Sequence, residues 1–162
     1  MTKERENLRH TFDEEAALYE RARPHYPEAL FEAIDRVATG PRVLEIGCGT
    51  GQATGPMAAR GYPVTAIELG ASLAEVARAN LASYRTAEVI TEDFEQWEGP
   101  EGAFDLVVCA TAFHWLDPVT RVGRVVGALR PGGVVALIDT VHVAGTSDAF
   151  FIDAPLLRAM GP

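Results

Sequence analysis

The stretch Val43-Leu44-Glu45-Ile46-Gly47-Cys48-Gly49-Thr50-Gly51 decides how this chain is read. Four residues rich in apolar side chains run into three glycines at alternate positions, with a carboxylate two residues before the first. Glycine lacks a Cβ, so a strand that turns on such residues lets its backbone approach another group closely. The pattern is Gly-x-Gly-x-Gly. It differs from the Gly-x-Gly-x-x-Gly that brings a helix N-terminus up to a dinucleotide pyrophosphate. No Gly-Lys-Ser/Thr follows, which excludes a phosphate-gripping P-loop.

Around this turn the chain alternates apolar runs with helical patterns. Strands are expected over residues 42–46, 64–68, 88–91, 105–110 and 134–138. Helices are expected over 52–60, with Gly61 as its stop, and over 72–83, where Leu73, Val76, Ala77 and Leu81 share a face. A further helix is expected from Asp117, a capping residue followed by Pro118, to about Arg130, where Pro131-Gly132-Gly133 ends it. Such alternation with short loops predicts an α/β fold, a Rossmann-like doubly wound parallel sheet of five strands. The run 105–110 is apolar enough to be buried on both faces. No internal repeat or linker interrupts the chain.

Composition narrows the function classes. With 162 residues, 48% hydrophobic and 23% charged, the chain fits one globular domain with a real core. No apolar run approaches the ~20 residues of a membrane span, and Met1 to Glu6 is too polar for a signal peptide. The net charge of −9 argues against a general nucleic-acid binder. The two cysteines, Cys48 and Cys109, give neither zinc spacing nor a disulfide framework, and a cytoplasmic location is the expectation. No metal site is expected.

Ligands of such sheets bind at the carboxyl ends of the strands. The residues there are Gly47 to Gly51, Glu68-Leu69, Asp93-Phe94 and Ala110 to Trp115. A carboxylate at Glu45 repels phosphate and favours an ammonium group. That combination suits S-adenosylmethionine, which carries an adenosine, a sulfonium and an amino acid but no phosphate. Glu68 lies about 20 residues past the glycine turn, where an acid can accept both ribose hydroxyls; the bland alternative is a solvated strand-end acid. Asp93 could accept from an adenine amino group with Phe94 as a wall, or could be a turn residue beside a core phenylalanine.

The glycine turn, the acid of strand two, Asp93-Phe94, the apolar fourth strand and Pro131-Gly132-Gly133 together resemble the class I S-adenosylmethionine-dependent methyltransferases over about residues 41–140. Two segments resemble the small-molecule branch related to trans-aconitate methyltransferases. They are Phe12-Asp13-x-x-Ala16-x-x-Tyr19-x-x-x-Arg23-Pro24-x-Tyr26-Pro27 and Ala112-Phe113-His114-Trp115-Leu116-Asp117. The resemblance implies that Gly47, Gly49 and Gly51 face the methionine half of S-adenosylmethionine, with Glu45 near its ammonium. It implies that Glu68 and Leu69 border the ribose, Asp93 and Phe94 the adenine, and the backbone of Ala110 and Thr111 the ammonium side. Tyr19 and Arg23 would close over the cofactor. Pro24 disfavours helical geometry at Arg23, so residues 1–40 read as a helical lid before the 41–140 cofactor-binding domain. His114 is the candidate catalytic residue, a general base if the acceptor is a hydroxyl or carbon acid, an orienting group if it is a carboxylate, or a packing partner of Trp115.

Such enzymes usually carry two more strands after the fifth, and residues 141–162 offer at most one helical segment. The expectation is therefore a chain resembling a truncated methyltransferase, with 141–162 the start of a cap region. Two function classes follow. One is an enzyme methylating a small molecule, a carboxylic acid among the candidates. The other is an inactive cofactor-binding module completed by a partner or further segment. Strand five would leave an apolar edge through which copies could pair.

Overall fold

The computed structural model describes residues 25–139. Five strands form one parallel sheet: β1 (Val43–Ile46), β2 (Val64–Glu68), β3 (Ala87–Thr91), β4 (Phe104–Ala110) and β5 (Leu129–Ile138). Their order across the sheet is β3-β2-β1-β4-β5. Among the described residues four α-helices accompany them: α1 (Glu28–Val37), α2 (Thr54–Ala59), α3 (Ala71–Asn80) and α4 (Arg121–Ala128), with a 3₁₀ turn at Phe113–Trp115. The expected five-strand Rossmann-like arrangement is the one observed.

Side chains alternate between two cores because successive strand residues point to opposite faces. Val43, Val64, Ala66, Leu106 and Val108 pack with Leu30, Phe31 and Ile34 of α1, Met57 of α2 and Ala77 of α3. Leu44, Ile46, Ile67, Val107 and Cys109 pack on the other face with Phe94, Leu116 and, from α4, Val125 and Ala128. All seven residues of β4 are buried, as a strand covered on both faces requires.

Helix α2 is shorter than the expected 52–60. Residues 51–53 form turns, and Pro56 sits in the first helical turn, where its missing N–H is one of the unpaired donors anyway. The far end is closed by a Schellman motif: Gly61, at φ +90°, donates to Ala58 O at 2.9 Å and Tyr62 donates to Met57 O at 3.2 Å. Helix α4 also differs from expectation. Asp117 Oδ1 accepts from Val119 N at 2.8 Å and its carbonyl from Arg121 N at 2.9 Å, so a turn precedes the helix, which starts at Arg121. It ends at Ala128 because Leu129 is already extended and paired with Phe104. Pro131-Gly132-Gly133 therefore lies inside β5, at a register irregularity between Phe104 and Leu106, rather than ahead of the strand.

The strand order reverses direction of winding between β1 and β4. Both loops leaving this pair begin at the same end of the sheet, and the crevice between them is where such folds place their ligands.

Candidate functional site

At that crevice lies a cavity of about 310 Å³, within the size range of small-molecule sites. Gly47, Gly49, Glu68, Leu69, Phe94, Ala110, Thr111 and His114 all line it. A second recess of about 10 Å³ sits beside it, bordered by Tyr26, Glu45, Gly47, Thr50, Gln52 and Ala110. Gly47, Gly49 and Ala110 border both.

The glycine turn is held by its neighbours. Gly47 N donates to Ile67 O at 2.8 Å, Gly51 N to Cys48 O at 2.9 Å, and Asn80 Nδ2 of α3 to Thr50 O at 3.0 Å. All three glycines have positive φ: +69° at Gly47, +57° at Gly49 and +88° at Gly51. A Cβ on Gly47 would stand 2.6 Å from Cβ of Ala112, so the loops leaving β1 and β4 touch there. A Cβ on Gly51 would stand 3.1 Å from Leu81, and Gly51 does not line the main cavity. The turn is thus built as much for protein packing as for approach to a ligand.

Glu68 ends β2 with its carboxylate buried and aimed at the turn. Oε2 accepts from Gly49 N at 2.7 Å and Oε1 from Gly70 N at 2.9 Å. The same carboxylate clamps the turn and belongs to a residue that lines the cavity. Glu45 is placed differently from Glu68. It is 1% exposed, borders only the recess, and accepts from Thr54 Oγ1 at 2.6 Å. After β3, Phe94 lines the cavity while Asp93 does not. Its Oδ1 accepts from Glu95 N at 3.0 Å, and the acid facing the cavity is Glu92.

Two arginines of α4 hold the far walls. Arg124 donates through Nε to Phe94 O at 3.1 Å and through a terminal nitrogen to Trp97 O at 2.8 Å, with its guanidinium over the Phe94 ring. Arg121 donates to Phe113 O at 3.2 Å and covers the Phe113 ring at 4.5 Å. Glu95 joins the two walls by accepting from Asp117 N. His114 is exposed on the cavity rim, its ring 4.8 Å from that of Trp115. Ala112, within the expected run Ala110 to Trp115, also lines the cavity, as do Ile67, Leu73 and Leu116. Sequence reasoning did not single out these last three for the site, and residence near strand ends or on the next helix turn was the only signal. Tyr19 and Arg23 lie outside the described residues, as do most of residues 1–40, expected as a lid, and residues 141–162.

The chemistry of these donors fits an adenosine carrying an amino acid. Ile67, Leu69 and Phe94 supply apolar walls beside a buried carboxylate. Four buried polar atoms, Thr50 Oγ1, Gln52 Nε2, Thr111 Oγ1 and Arg121 Nε, have no hydrogen-bond partner within the described chain. The first three border the cavity or the recess, and unsatisfied buried groups are costly unless something meets them. The cysteines supply no thiolate. Burial, then Glu45 and Glu68, push Cys48 well above its ordinary pKa, and burial with Glu45 pushes Cys109 up to about 12. Among the described residues no group of side chains could hold a metal ion, and no helix is long and apolar enough to cross a membrane.

Residues 43–133 match the family described as "Methyltransferase domain". An uncharacterized methyltransferase of Mycobacterium tuberculosis is 37% identical over 144 residues, covering 85% of this chain and 55% of that protein. A malonyl-[acyl-carrier protein] O-methyltransferase of a Paenibacillus species is 36% identical over 104 residues, covering 59% of this chain and 37% of that protein. Among solved structures, a SAM-dependent methyltransferase from Aquifex aeolicus superposes with a TM-score of 0.62 at 18% identity, over 72% of this chain and 68% of that one, a likeness of fold. The chain spans about half the length of the first of these relatives.

Proposed function

The chain belongs to the methyltransferase domain family, and from that premise we propose that it binds S-adenosylmethionine in the β1–β4 crevice and transfers methyl to a small-molecule acceptor, a carboxylic acid being the first class to test. One observation carries the cofactor reading. The buried Glu68 carboxylate grips Gly49 N at 2.7 Å at the mouth of a cavity walled by Leu69 and Phe94. Together they make a nucleoside site whose acid faces hydroxyls and not phosphates. The acid acceptor is supported by the Paenibacillus relative, whose name describes methylation of a malonyl group.

S-adenosylmethionine, when bound, supplies a methyl group on a cationic sulfonium. The protein's part is placement. Glu68 accepts from the ribose hydroxyls, Ile67, Leu69 and Phe94 enclose the adenine, and the glycine turn with Ala110 and Thr111 borders the amino-acid end. Tyr19 and Arg23 are proposed to cover that end. His114 and Trp115 sit at the rim where an acceptor enters. A carboxylate acceptor needs no base, so His114 orients it there, whereas a hydroxyl or carbon acid would draw on His114 as base. Alignment and water exclusion account for most of such catalysis, consistent with the sparse acid/base chemistry of the cavity.

Titrating the chain with radiolabelled S-adenosylmethionine against a panel of small carboxylic acids and malonyl thioesters tests the acceptor. Methyl esters are the expected products. Cofactor binding without turnover on the panel would favour the module reading. A second copy along β5 is also proposed, since among the described strands β5 pairs only with β4. A concentration-independent monomer in sedimentation would end that idea.

A further inference from the structure

Helix α4 has two opposite faces. Val125 and Ala128 are buried, and the Arg121 and Arg124 guanidiniums lie over the Phe113 and Phe94 rings. The outward face keeps no charge, because every exposed residue from 118 to 127 is apolar, threonine or glycine. Val119, Val122 and Val126 are 87%, 51% and 43% exposed, and they are the large hydrophobic side chains that stand exposed among the described residues. Their i, i+3, i+7 spacing puts them on one stripe. A contiguous apolar face of this kind, on a chain of net charge −9, marks a contact surface.

Gly123 lies within the stripe. A Cβ there would meet nothing within 4 Å. Packing within the described chain therefore does not require glycine, which weakens a helix interior relative to alanine. A second element lying close against the helix would require it.

The chain itself offers the occupant. Helices α1, α2 and α3 pack on one face of the sheet, and among the described helices α4 is alone on the other. Strand β5 ends at Ile138, whose carbonyl accepts from Thr111 N at the carboxyl end of the sheet. Helix α4 follows β4 and precedes β5, so it starts at that same end. The polypeptide leaves β5 at the end of the molecule where the stripe begins. Beyond the described residues it carries Phe150, Phe151, Ile152, Leu156, Leu157 and Met160, an apolar set that gains by burial. Residues 140–149 span about 33 Å when extended, against about 12 Å for the whole of α4.

We propose that the valine stripe of α4 is the docking face for residues 150–160 of the same chain, whose apolar side chains cover Val119, Val122, Gly123 and Val126.

A nitroxide label beside the stripe tests this in the full-length chain. Thr120 is exposed and makes no side-chain cap bond, so Thr120→Cys carries the label without altering the valines. Cys48 and Cys109 are buried and stay unlabelled. The amide resonances of residues 150–160 are expected to lose most of their intensity relative to the reduced label. Full intensity there would overturn the proposal. Spin-labelled chain is then mixed with isotope-labelled parent. Broadening of residues 150–160 in that mixture would overturn docking within one chain and assign the face to a second copy. Gly123→Ala supplies an independent readout. In a bare helix it raises Tm by about 1–4 °C. With the segment docked it is expected to lower Tm, and a rise would overturn the proposal.

Discussion

Replacing Gly47 by alanine tests whether the turn after β1 is shaped by contact with the loop after β4. The new Cβ would meet two separate obstacles. At φ +69° a residue with a Cβ costs about 1–2 kcal/mol. The Cβ would also stand 2.6 Å from Cβ of Ala112, a short, rigid side chain that cannot swing aside. Overpacking of that kind adds about 1–3 kcal/mol, and the lost freedom of the unfolded chain returns about 0.4–1 kcal/mol. The net expectation for Gly47→Ala is a destabilisation of about 2–4 kcal/mol, or roughly 4–16 °C in Tm for a chain of this size. Urea denaturation should show a lower midpoint with an unchanged slope. The double variant Gly47→Ala/Ala112→Gly removes the steric overlap and leaves the backbone penalty, so a coupling of about 1–3 kcal/mol should appear in the cycle. A Gly47→Ala protein as stable as the parent, or one that Ala112→Gly does nothing to recover, would refute the reasoning.

Removing the Glu68 carboxylate with Glu68→Ala should weaken S-adenosylhomocysteine binding by about 1.5–3 kcal/mol for each charge-assisted bond lost. The penalty for a 2′-deoxy analogue should then be much smaller in the variant than in the parent, and equal penalties would contradict the ribose role. Arg124→Ala should loosen the Phe94 wall and weaken 5′-methylthioadenosine binding several-fold, because two carbonyl contacts and the ring contact go together. Unchanged affinity would show that the wall stands without it. Asp105 sets an acid limit on stability. Burial alone would raise its pKa, but bonds from Arg130 and Arg42 outweigh that and hold it at about 2 instead of 3.8. Its contribution is full above about pH 4 and is lost as pH falls toward 2, and with both arginines partly exposed it amounts to about 1–2 kcal/mol. Acid titration of parent and Asp105→Asn should therefore converge between pH 4 and 2, and a constant gap would refute the assignment.

The strands were legible where burial on both faces or strict placement left one reading. The run from Asp105 to Ala110 is apolar because it lies between two helical layers, and β2 ends at Glu68 as the sequence implies. What local sequence hides is pairing across the fold. Glu45 reads as a ligand acid, and nothing local shows that Thr54, nine residues on, donates to it. Asp93 reads as an adenine partner or a turn residue, and only the fold shows that its Oδ1 accepts from Glu95 N. Pro131-Gly132-Gly133 reads as a stop because glycine and proline punctuate helices, yet Leu129 already pairs with Phe104 and the motif becomes an irregularity within β5. The left-handed backbone at Thr111 has no sequence signal, since only surrounding contacts force a branched residue there. The roles of Arg121 and Arg124 are hidden for the same reason, as their carbonyl partners come from other loops.

The central claim is that the β1–β4 crevice of this chain is an S-adenosylmethionine site. Isothermal titration of the folded 162-residue protein with S-adenosylhomocysteine, and separately with NAD, tests it most directly. The account predicts one-to-one binding of S-adenosylhomocysteine, weakened by about 1.5–3 kcal/mol per bond lost in Glu68→Ala, and no heat with NAD. A folded chain that takes NAD, or that ignores S-adenosylhomocysteine, would contradict it.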